Sequence, residues 1–78
     1  MNDLQLLETY LSEYRPQRKA ELERSGTLAA YLDEQTTAMA QARLQLHTAW
    51  IQHSPTMSET QRALEVEEQL RAIFLPLP

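Results

Sequence analysis

Residues 27–53 read TLAAYLDEQTTAMAQARLQLHTAWIQH and contain neither Gly nor Pro. Ala, Leu, Gln, Met and Arg dominate the stretch, and these side chains lose little entropy on entering a helix. Leu28, Leu32, Gln35, Met39, Ala42, Leu46, Ala49 and His53 follow one another at alternating steps of four and three. That spacing lines one side of a helix. Tyr31, Ala38 and Trp50 widen the line into a broad face, which suits a globular bundle better than a two-stranded coil. A face of this kind needs a partner surface, and the flanking segments are its nearest suppliers.

Before it, Asn2 with Gln5 has the pattern of a helix-capping pair. Leu4, Leu7, Leu11 and Tyr14, with Tyr10 beside them, predict a short amphipathic helix that ends near Arg15. Pro16 stops it, since Pro clashes with the preceding turn, and Pro also suits the first turn of a following helix. Residues 16–24 therefore read as a second helical segment. Gly26 is the only glycine, and it follows Arg24 and Ser25 as a helix stop. The reading places a break there, with Ser25 or Thr27 capping the long helix. One continuous helix over 16–53 is the alternative, at a cost of about 1 kcal/mol for the glycine.

Beyond it, His53-Ser54-Pro55 ends the long helix, because the residue before Pro avoids the helical region. Two caps then overlap, Thr56 with Glu59 and Ser58 with Gln61. Ala63, Val66, Leu70 and Ile73 form the seam of a last helix, with Leu64, Phe74 and Leu77 adding bulk and Glu59, Glu65, Glu67 and Glu68 on its outer face. The fold class expected is all-α: a small three- or four-helix antiparallel bundle organised on one long central helix, as a single domain over residues 1–78.

Seventy-eight residues leave a thin core. A chain this short buries only about 60% of its unfolded surface. With no Cys there is no disulfide to staple it, so good helix packing, self-association or a partner has to complete the core. The absence of Cys fits a reducing compartment. The first residues show no basic region followed by an apolar run, and no apolar stretch approaches the ~20 residues that cross a bilayer. A cytoplasmic protein without membrane attachment is expected. The formal charge of −4 opposes nonspecific binding to nucleic acid.

Candidate chemistry is sparse. His47 and His53 are six apart, on different sides of a helix, without the i, i+4 spacing of a helical metal pair. They read as a surface residue and a helix-end residue. No Glu-x-x-His, Gly-rich loop or nucleophile motif occurs, so no catalytic residue, metal ligand or cofactor is assigned. Arg15, Arg18, Lys19 and Arg24 concentrate positive charge and are the residues available for a nucleic-acid contact. Glu13, Glu21 and Glu23 are interleaved with them, and pairing within the helix is the simpler expectation. Trp50, Phe74 and Leu77 are the candidates for contact with another protein or a second copy. The tail Phe74-Leu75-Pro76-Leu77 is expected to pack under the bundle near Trp50, with Tyr10, Tyr14 and Tyr31 at the opposite end.

Tyr10-Leu11-Ser12-Glu13-Tyr14-Arg15-Pro16, then Leu22, then Ser25-Gly26-Thr27-Leu28-Ala29-Ala30-Tyr31-Leu32 resembles a pattern in the transposon-encoded TnpV family. The resemblance spans residues 10–46. It departs afterwards in a shorter connection to the last helix and the lack of a Met-x-Trp segment. It implies a bacterial mobile-element or phage setting, and no catalytic residue comes with it. The function expected is a non-catalytic helical interaction module, with a nucleic-acid-associated accessory factor as the alternative.

Overall fold

Arg15 and Gly26 are the two hinges of the architecture. A computed structural model describes residues 2–78, which form α1 (Asp3–Tyr14), α2 (Pro16–Ser25), α3 (Leu28–His53) and α4 (Glu59–Phe74), with no strand among them. The fold is all-α and is organised on the long helix.

Asn2 and Gln5 form the predicted capping box. The Asn2 side chain accepts from the Gln5 N–H at 2.9 Å, and the Gln5 side chain accepts from the Asn2 N–H at 3.1 Å. Only Arg15 separates α1 from α2, and Pro16 opens α2, where its missing N–H costs nothing. Gly26 breaks the chain as expected. It adopts φ 72°, its N–H donates to the Glu23 carbonyl, and the Thr27 N–H donates to the Leu22 carbonyl. This is the paired closure of a left-handed helix stop, which glycine adopts without steric cost. The cap expected of Ser25 or Thr27 is not made: their hydroxyls bond each other at 2.6 Å, and no side chain caps α3. At α4 the Ser58 hydroxyl accepts from the Gln61 N–H at 3.1 Å, so of the two overlapping caps the second is used.

Both α1 and α4 run against α3. Asp3 and Glu67 meet Arg43 in the middle of α3, while Tyr10 and Leu75 meet Leu28 and Tyr31 at its start. α2 crosses between the end of α1 and the start of α3, burying Leu22. Leu7, Tyr10, Leu11 and Leu32 form one buried cluster, flanked by Leu28, Tyr31 and Leu75. α4 packs on α3, and Val66 and Leu70 are buried there, as is Met39 on α3. The molecule measures 48 × 21 × 19 Å, close to the length of its longest helix plus the connection at its end.

The seams are narrower than their periodicity implies. In α1, Leu4 and Tyr14 are exposed; in α3, Ala49 and His53 are exposed; in α4, Ala63, Leu64 and Ile73 are exposed, Ile73 by 60%. α4 packs on α3 alone, so only a stripe such as Val66 and Leu70 is covered. Residues a turn beyond that stripe face solvent.

Candidate functional site

The polar centre of the bundle is Arg43, a residue the sequence reading did not single out. Its guanidinium donates from Nη1 and Nη2 to the Asp3 carboxylate at 2.8 and 2.7 Å, and from Nε to Glu67 at 2.7 Å. One side chain of α3 thereby holds the start of α1 and the middle of α4. Glu67 was placed on an outer acidic face; the structure turns it inward to Arg43. The hydrogen bonds from Arg43 hold the Asp3 carboxyl below its ordinary pKa, against the opposing effect of partial burial. The two carboxylates raise the Arg43 guanidinium above its ordinary value, despite desolvation. A signal did exist: Arg43 is the only Asp, Glu, Lys or Arg between Glu34 and Glu59, and it adjoins the apolar seam at Ala42.

One turn beyond Arg43, Leu46, Ala49, Trp50 and His53 of α3 line an apolar groove of about 340 Å³, with Gln69 of α4 on its edge. The Trp50 indole N–H donates to the Gln69 side chain at 3.1 Å, which fixes the ring at the groove. This groove continues the α3 seam past the point where α1, beginning at Asp3, is tied down.

The tail does not approach Trp50. The Tyr10 hydroxyl donates to the Pro76 carbonyl at 2.6 Å, and Leu75 packs on the Leu7–Leu32 cluster. The expected placement of the tail under Trp50 is therefore corrected. α4 runs away from the Trp50 end, so the chain beyond Phe74 emerges at the tyrosine end, where a hydroxyl awaits its carbonyl. Trp50 consequently lies apart from Phe74 and Leu77. Phe74 is partly buried, and Leu77 is 70% exposed in a groove of about 270 Å³ with Leu6, Tyr14 and Leu75.

The basic cluster divides. Lys19 donates to the Ser12 hydroxyl at 3.1 Å and lies 3.8 Å from Glu23, the one intrahelical pair of the expected kind. Arg24 is exposed in the last turn of α2. Arg15 and Arg18 come together instead, each 5.7 Å from the centre of a tyrosine ring, Tyr10 and Tyr31 respectively. His47 is partly buried and His53 exposed. Among the described residues no group of three or more His, Cys, Asp or Glu is placed to hold a metal ion, and no helix is long and apolar enough to cross a membrane.

No protein-family model, curated protein or solved structure matches this chain.

Proposed function

We propose that the chain is a non-catalytic helical interaction module that binds another protein or a second copy of itself. The observation that carries this reading is the open groove at Leu46, Ala49 and Trp50, an apolar continuation of the same seam that α1 covers farther down α3. Burying such a surface stabilises an association by roughly 25 cal/mol per Å² of apolar area removed from water, before the costs of ordering. A rigid indole at the centre of a small groove is the kind of anchor on which binding energy concentrates. Leu77, with Leu6 and Tyr14, offers a second apolar contact at the other end. The mobile-element or phage setting rests on the resemblance over residues 10–46, and a cytoplasmic location on composition.

The test uses Ala49→Glu, which places a charge in the groove at an exposed helical position and leaves the core intact. Molecular mass by light scattering and capture of partners from cell extract are compared with the parent chain. Loss of assembly or of capture with unchanged helicity is the expected result. Parent and variant behaving alike in both measurements would remove the groove from the function.

A further inference from the structure

Arg15 and Arg18 lie three residues apart across the start of α2, and both face a cleft of about 400 Å³. Its other walls are Tyr10, Leu11, Tyr31, Ile73, Phe74 and Pro76. The two guanidinium groups sit over the Tyr10 and Tyr31 rings, an arrangement that restrains a flexible cation through the negative face of the ring. The ion pairs among the described residues are Lys19–Glu23, Arg43–Asp3 and Arg43–Glu67, so neither arginine is matched to a carboxylate. Arg15 spends one N–H on the Tyr14 carbonyl. The remaining guanidinium donors of the pair are available to an acceptor entering the cleft.

We propose that this cleft receives an extended peptide segment of a partner protein in which an Asp or Glu is flanked by apolar residues. The proposal rests on the reading of the chain as an interaction module and supplies a chemistry for its partner, at a site separate from the Trp50 groove. Guanidinium donors match a carboxylate in geometry and charge. The apolar walls, Leu11, Ile73, Phe74 and Pro76, suit the side chains on either side of that carboxylate, and Ile73 is otherwise left 60% exposed.

Charge selects a single carboxylate over a polyanion. The chain carries −4, with Glu13 and Glu21 near the two arginines in sequence, and Glu21 lines the neighbouring groove that Arg15 and Arg18 also border. A nucleic acid laid across this surface brings many phosphates within the ~8–10 Å over which those carboxylates act at physiological salt. One peptide carboxylate inside the cleft meets the arginines first.

The experiment screens an array of hexapeptides with a central Asp or Glu between randomised apolar residues, against the same array carrying Asn or Gln. The full chain, Arg15→Ala, Arg18→Ala and Ala49→Glu are compared, with circular dichroism as the check on folding. The expected result is at least tenfold stronger binding to the acidic array, lost in either arginine variant, weakened by added salt and retained by Ala49→Glu. Binding of duplex DNA tighter than the best acidic peptide would overturn the proposal, as would equal binding of the two arrays or no binding to either. If Ala49→Glu still abolishes assembly while the acidic array fails, only the cleft proposal falls. If Ala49→Glu changes nothing while the acidic array binds through Arg15 and Arg18, the groove fails and the cleft stands.

Discussion

Arg43 grips Asp3 with two parallel hydrogen bonds, Nη1 to Oδ2 at 2.8 Å and Nη2 to Oδ1 at 2.7 Å, across 40 residues of sequence. The pair is partly exposed, 27% for Arg43 and 23% for Asp3, so it lies between a screened surface pair and a buried one. Arg43→Ala is expected to cost on the order of 1–2 kcal/mol, because it also strands Glu67. Urea unfolding followed by circular dichroism measures it; a midpoint equal to the parent's would show that the network is ornamental.

The same pair sets an acid limit. Arg43 holds the Asp3 carboxyl below its ordinary value, so folding favours the ionised form. The stabilisation is complete above the unfolded carboxylate pKa of about 3.9 and is lost as pH falls through the lower folded value. Asp3→Asn is expected to be less stable than the parent at pH 6, with the gap narrowing below pH ~4. A gap that stays constant on acidification would argue against Asp3 as its source.

Tyr10→Phe removes only the hydroxyl that holds Pro76. A loss of about 0.5–1.5 kcal/mol is expected. Faster amide exchange at Leu75 is the local signature, since its N–H closes α4 on the Arg71 carbonyl at 2.8 Å and Tyr10 ties down the chain just beyond it. Unchanged exchange there would mean that the apolar contact suffices.

Gly26→Ala tests the hinge without touching packing. Nothing lies within 4 Å of an added Cβ, so the whole effect comes from φ 72°. Destabilisation of about 1 kcal/mol is expected, with Gly26→Asn milder because Asn tolerates the left-handed region. Thermal melts of the two variants would expose any reversal of that order.

Leu70→Ala and Leu64→Ala are the same chemical change on one helix. Leu70 is 1% exposed and Leu64 63%. The first is expected to cost about 2–5 kcal/mol, enough to unfold much of so small a domain, and the second about 0.5 kcal/mol or less. Equal losses would contradict the placement of α4 on α3.

The helices and their punctuation were legible in the sequence because they are local. Asn2 with Gln5, Pro16, Gly26, Ser54-Pro55 and Ser58 with Gln61 act within a few residues of themselves. Backbone sterics and caps therefore determine where α1 to α4 begin and end, and the seam from Leu28 to Leu46 determines that α3 is the element the others cover. Only tertiary structure decided how wide that cover is. Periodicity marks a face, but exposure of Ile73, Leu64 and Ala49 depends on how many neighbours a helix has. It also decided that Glu67 turns to Arg43, that the tail closes over Tyr10 instead of Trp50, and that Arg15 and Arg18 part from Lys19 and Arg24. Glu67 with Arg43, Pro76 with Tyr10 and Arg18 with Tyr31 join groups distant in sequence, and a charge or a hydroxyl takes its partner from whatever the packed helices bring within reach.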